Sequence, residues 1–147
     1  MSLKDQLMED LKSAMRDKDV VKKNTVQLVR AGILQVEKDQ KITLDDQGVI
    51  EVIAREVKKR RDVLPEYEKS GRQDLIDTIN REIECLLVYL PEQLSEQELE
   101  QIVKECVEET GASSMREMGK VMQAVMPKTK GRADGKMVNQ IVKKYLA

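Results

Sequence analysis

The chain has 147 residues, and its 26 Lys and Arg nearly cancel its 27 Asp and Glu, which excludes a uniformly basic nucleic-acid binder. It has no histidine, so a histidine-dependent triad, a His-ligated zinc site and His general acid–base catalysis are impossible. With three Tyr, no Phe and no Trp, the core must be built from Leu, Ile, Val and Met, and base stacking on aromatic platforms is largely excluded.

Leu3, Leu7, Leu11 and the pair Ala14/Met15 recur at helical spacing behind Ser2, an N-cap residue, and predict a first helix ending near Asp17. Asp19 caps a second helix with Val26, Val29, Ile33 and Val36 on its inner face, fading in the polar run from Glu37 to Lys41. Thr43-Leu44-Asp45-Asp46 resembles a capping box with Asp in place of Glu, opening a third helix that carries Val49, Val52, Ile53 and Val57. Pro65 predicts a kink or restart, because proline lacks an N–H and crowds the preceding turn, and Gly71 predicts a stop. Leu75, Ile79, Ile83, Leu86/Leu87 and Leu90 form the stripe of a fourth helix.

Pro91-Glu92-Gln93-Leu94 interrupts the pattern, and Ser95 with Glu98 forms a full capping box for a fifth helix with Leu99, Ile102/Val103 and Cys106/Val107, closed by Gly111. Ser114 with Glu117 predicts another box. A sixth helix then places Met115, Met118, Val121/Met122 and Val125/Met126 inward and stops before Pro127. Asp134 caps a seventh, with Met137/Val138, Ile141/Val142 and Tyr145/Leu146. The expected fold is all-α: residues 1–91 as an N-terminal four-helix unit, then residues 95–147 as a C-terminal three-helix bundle. No signal peptide precedes the first amphipathic helix and no apolar run approaches the ~20 residues that span a membrane, so a cytoplasmic location and no membrane contact are expected.

Charge is uneven. Residues 91–110 hold seven acids against one base, and residues 111–147 eight bases against two acids. Lys128, Lys130, Arg132 and Lys136 crowd the stretch around Gly131 and Gly135, with only Asp134 opposing. Diffuse contact with a phosphate backbone suits such a loop, although Asp134 would occupy the helix end that a discrete anion needs. Lys58-Lys59-Arg60-Arg61 is a second basic run, with Lys58 and Arg61 pointing one way and Lys59 and Arg60 elsewhere. It serves either as a second phosphate-facing patch or as the solvated end of the third helix. Spacing assigns the methionines of the sixth helix to core, with an adaptable binding groove as the alternative, and Gly119 to the close approach of a neighbouring helix, with a flat contact with a ligand as the alternative. Cys85 and Cys106 fall at apolar helix positions, as buried small side chains do. No P-loop, GxSxG elbow, CxxC pair or dinucleotide fingerprint occurs, and the carboxylates show no metal-ligand pattern, so no catalytic residue, metal or cofactor is expected.

Lys59-Arg60-Arg61-Asp62, Gly71-Arg72-Gln73-Asp74-Leu75, Tyr89-Leu90-Pro91-Glu92-Gln93-Leu94-Ser95, Met118-Gly119-Lys120-Val121-Met122 and Lys130-Gly131-Arg132-Ala133-Asp134 occur in this order over essentially the whole chain. Together they resemble the YqeY family, small bacterial proteins related to the tail of GatB, a component of the glutamine-dependent tRNA amidotransferase. The resemblance implies an all-helical protein with a link to tRNA, since the amidotransferase tail helps hold the tRNA body while amidation takes place in other parts of that enzyme. A family label of carbon–nitrogen ligase activity with glutamine as amido-N-donor would then be inherited from the full enzyme. Matched by position, the tail motif falls on Gly119, Lys120, Met122, Lys130, Gly131 and Asp134, while Gln123 and Pro127 depart from it.

The expected function is a non-catalytic, translation-associated module that binds tRNA through Lys120, Lys128, Lys130, Arg132 and Lys136, with Gly119, Met122, Gly131 and Asp134 in structural roles. Recognition would rest on shape and charge, with no DNA partner. The alternative is a protein-interaction adaptor docking on an amidotransferase component, a synthetase or another translation factor, which a sizeable exposed apolar patch would favour.

Overall fold

The computed structural model describes residues 1–147. Seven α-helices and one 3₁₀ turn make up the fold, with no strand. The chain divides into two compact units, Met1–Leu90 and Pro91–Ala147.

The first unit contains α1 (Leu3–Arg16), α2 (Val20–Gln40), α3 (Asp46–Ser70) and α4 (Gln73–Leu87). Helix α1 packs on α2, α3 on α4, and α2 on both α3 and α4. Their facing stripes bury Leu7, Val26, Val29, Val49, Ile53 and Leu86 almost completely. Burying each such side chain contributes about 1.5–3 kcal/mol, which is what holds charged helices together. Ser2 and Asp19 cap α1 and α2 through bonds from the Asp5 and Lys22 N–H groups. Gly71 ends α3 in the left-handed region at φ 69°.

Two expectations for α3 fail. Thr43 is not its cap; Asp45 is, accepting from the Gly48 N–H at 2.9 Å. Asp46 instead accepts from the Leu3 N–H at 3.0 Å and ties the start of α3 to the start of α1. Nor does Pro65 restart the helix, which continues without a break to Ser70. Pro65 lies on the exposed side. The ring removes a hydrogen bond where water can replace it, so the chain keeps its helical course.

Tyr89, almost fully buried, donates its hydroxyl to the Asp10 carboxylate. Burial first, and this acceptor second, push the phenol well above its usual pKa. Cys85 and Cys106 are both buried free thiols, and burial raises their pKa values.

The second unit contains α5 (Glu96–Thr110), a 3₁₀ turn (Met115–Glu117), α6 (Met118–Thr129) and α7 (Gly135–Leu146). Its core is Leu99, Val103 and Cys106 from α5, Val121 and Val125 from α6, and Val138, Val142 and Leu146 from α7. Both halves of the Ser95–Glu98 capping box form. The expected Ser114–Glu117 box does not. The 3₁₀ turn tightens the chain there, and the Glu117 carboxylate instead accepts from the Ser113 N–H at 2.5 Å. Helix α6 also runs through Pro127 to Thr129, contrary to the expected stop. The Lys130 N–H bonds the Met126 carbonyl at 3.0 Å and resumes the ladder beyond the proline. The carbonyl that Pro127 leaves unpaired belongs to Gln123, on the exposed side.

Between α1 and α2, Glu37 accepts from Lys4 Nζ at 2.5 Å and from the Leu44 N–H at 2.7 Å. These bonds, the lysine's first, hold its carboxyl below the ordinary value of 4.5. A lowered folded-state pKa means stability that is present above 4.5 and lost as pH falls through the lower folded value. Glu37→Gln should therefore lower the melting temperature at pH 7, and the gap from wild type should close as the melts are taken into acid. Equal melting temperatures at pH 7 would show that these bonds add nothing.

Candidate nucleic-acid interface

The buried stripe of α6 is Val121, Val125 and Thr129, flanked by half-buried Met118 and Met122. At 100° per residue, the opposite side carries Arg116 from the preceding turn, Lys120, Gln123 and Pro127, with Gly119 and Lys130 at its edge. All six are exposed. Residues 118–133 contain no acid, so α6 itself contributes only cations and neutral groups to this face.

Two core assignments in this region fail. Met115 and Met126 are 44% and 46% exposed, and the inward positions of α6 are held by Val121, Val125 and Thr129. Gly119 does not serve helix packing either, since a Cβ placed on it would meet no heavy atom within 4 Å. Within this chain, that glycine admits nothing. Its bare backbone is open to whatever approaches from outside.

Lys120 stands near the start of α6 and Lys128 near its end, eight residues or about 12 Å along the axis. Lys128 reaches Glu109 of α5 at 3.6 Å, a solvent-screened pair. Lys144 of α7 reaches Glu100 of α5 at 3.4 Å in the same way. Lys130 and Lys136 flank the α6–α7 loop, and both side chains are exposed.

Arg132 differs from the lysines. It is half-buried, its Nε–H donates to the Glu92 carbonyl at 3.3 Å, and its own carbonyl accepts from the Leu94 N–H at 2.8 Å. Its charge also helps hold the Glu98 carboxyl below the ordinary range, after the larger effect of the bonds to Ser95. The guanidinium thus faces the segment leading into α5. Gly131, in the left-handed region at φ 73°, turns its carbonyl to Gln93 Nε2 at 2.7 Å. A side chain at residue 131 would be strained there, which explains the glycine. Asp134 caps α7 by accepting from the Lys136 N–H at 3.1 Å, so that end of the helix is already occupied by a carboxylate. Sequence reasoning assigned the cap but not Gln93, whose only local signal is an amide between an acid and a leucine.

The structure takes the second basic run apart. The Arg60 side chain is 11% exposed and bonds Glu82 of α4 at 2.7 Å and Glu56 at 2.9 Å, tying α3 to α4. Lys58 pairs with Asp62 at 2.9 Å and Lys59 with Glu56 at 3.3 Å. Arg61 is half-buried. One shallow pocket of about 90 Å³ lies in the first unit, lined by Lys4, Leu7, Arg30, Ile33, Leu34 and Glu37, and it contains none of the anticipated site residues. No group of three or more Cys, Asp or Glu converges in a way that could hold a metal ion.

The chain is all-helical, and α6 contributes no acid to its outward face, which lies open at Gly119. The model of the Yqey-like protein family matches residues 4–146, and the chain belongs to that family. Among curated relatives, "Altered inheritance of mitochondria protein 41, mitochondrial" of Pyrenophora tritici-repentis is 30% identical over 129 residues, covering 86% of this chain and 71% of that protein. Its namesake in Vanderwaltozyma polyspora is 26% identical over 148 residues, covering 95% and 80%. A glutamyl-tRNA(Gln) amidotransferase component of Thermococcus sibiricus is 44% identical over 57 residues, covering 36% of this chain and 9% of that protein. The relationship to the amidotransferase tail thus rests on a short segment of a much longer protein. The cytoplasmic expectation is overturned, since the fungal relatives are named as mitochondrial proteins. No helix of the chain is long and apolar enough to cross a membrane.

The open surroundings of Gly119 yield a double expectation. Gly119→Ala should stabilise the second unit by about 0.5–1 kcal/mol, since alanine is the better helix former and meets no obstacle. If the bare backbone serves an external partner, the same variant should bind that partner more weakly. A thermal melt that falls on substitution would show that Gly119 is required by the fold instead.

Proposed function

We propose that the chain is a non-catalytic module that holds tRNA by its phosphate backbone. The observation that carries this is the outward face of α6, where Lys120, Gln123 and open Gly119 lead to Lys130 with no acid from the helix itself between them. Backbone contact needs cations and close approach but no base readout, which suits a surface without aromatics. The segment shared with a protein named for glutamyl-tRNA(Gln) supports tRNA as the polyanion. Lys120, Lys128, Lys130 and Lys136 are the contacting residues in this proposal, and Arg132 serves chiefly to hold the loop. The amidation activity of the larger enzyme is not part of it.

Binding of tRNA to the intact chain should weaken steeply as salt rises, because each phosphate contact releases counterions. Lys120→Ala and Lys130→Ala should each weaken binding and reduce the slope of log affinity against log salt by about one contact. Affinities that stay unchanged in both variants would sink the placement.

A second reading, a protein-docking adaptor, is favoured by Leu34, 63% exposed on α2, where it lines the pocket of the first unit together with Arg30 and Glu37. Pull-downs with and without RNase separate the two. Partners lost on RNase treatment support the tRNA reading, and partners retained support the adaptor.

A further inference from the structure

The segment before α5 has no helix of its own, yet it is bonded closely to the α6–α7 loop. Gln93 Nε2 donates to the Gly131 carbonyl at 2.7 Å and to the Pro91 carbonyl at 3.1 Å. The Leu94 N–H donates to the Arg132 carbonyl at 2.8 Å. Arg132 Nε returns a bond to the Glu92 carbonyl at 3.3 Å. Three consecutive residues therefore meet two consecutive loop residues, each time through a main-chain atom.

The bond from Gln93 matters most for the loop's shape. A left-handed glycine has the widest choice of backbone conformations, so an unrestrained Gly131 would let the loop wander. Gln93 removes that freedom by holding the one carbonyl that the left-handed turn presents. A half-buried neutral amide does this without adding charge next to the cations, and salt screens it little. Lys130 and Lys136 stand on either side of the held residue. The backbone from which the two side chains project is thereby restrained before any ligand arrives, which reduces the ordering cost of binding.

We infer that Gln93 is a positioning residue for the phosphate-binding loop, acting through Gly131 on Lys130 and Lys136. The inference rests on the tRNA reading above and deepens it. Gln93 touches no phosphate, so its contribution exists only while the loop lysines make theirs. That dependence can be measured.

Gln93→Leu keeps the size and removes the donor. It should lower tRNA affinity about threefold to tenfold, the loss expected when ordered side chains regain their freedom before binding. In a Lys130→Ala/Lys136→Ala background the same substitution should change nothing further, because the groups it positions are gone. Amide exchange at Arg132 and Ala133 should also quicken in Gln93→Leu without tRNA, while the melting temperature stays near that of wild type. Weakening by the same factor in both backgrounds, or unchanged exchange, overturns the positioning role. If Gln93→Leu binds like wild type while the double lysine variant is weakened, the inference fails and the tRNA reading stands. A wild-type chain that binds no tRNA overturns both.

Discussion

None of the three helices of the second unit is long enough to hold its shape alone. At 12 to 15 residues, isolated helices are marginal in water. They form because Leu99, Val103, Val121, Val125, Val138 and Val142 are covered only when the three lie against one another. The outward face is a consequence of that burial. Once Val121 and Val125 turn inward, Lys120 and Gln123 have no other place than solvent. The basic face therefore exists wherever the core is intact.

Most element boundaries were legible because they depend on neighbours within four residues. Ser2, Asp19, Ser95 and Asp134 cap their helices, and Gly71 and Gly111 end theirs. The continuation of α3 past Pro65 and of α6 past Pro127 was not legible for one shared reason. Proline breaks a helix when the carbonyl it strands has no water, and whether Pro65 and Pro127 face water is decided by packing against other helices. The choice between Thr43 and Asp45 as the cap of α3 was equally non-local. Asp46 bonds the distant Leu3 N–H, which helps fix where the helix begins.

The candidate site was legible only in part. Clustering of Lys128, Lys130 and Lys136 follows from their spacing alone. The inward turn of Arg132 does not, since its acceptor lies forty residues earlier at Glu92. Gln93 was invisible for the same reason. Gly119 was misassigned because a glycine in a helix has two uses, close packing and an open backbone, and sequence cannot tell which neighbour is present. Arg60 looked like surface charge until α4 placed Glu82 beside it.

Near-neutral net charge and a basic helix face are compatible because the second unit gathers acids on α5 and bases on α6, α7 and the loop between them. Two acids of α5, Glu109 and Glu100, meet Lys128 of α6 and Lys144 of α7 across exposed, solvent-screened gaps. Such pairs are worth at most about 1 kcal/mol, so a phosphate can displace a carboxylate at little cost. Lys120 differs, because the acid-free run from 118 to 133 leaves no carboxylate along the helix to be displaced. An ordered loop at one end of α6 and an open glycine at the other then give the face two fixed points about one helix length apart. In the proposed tRNA contact, two such points suffice to follow a helical backbone without reading its bases.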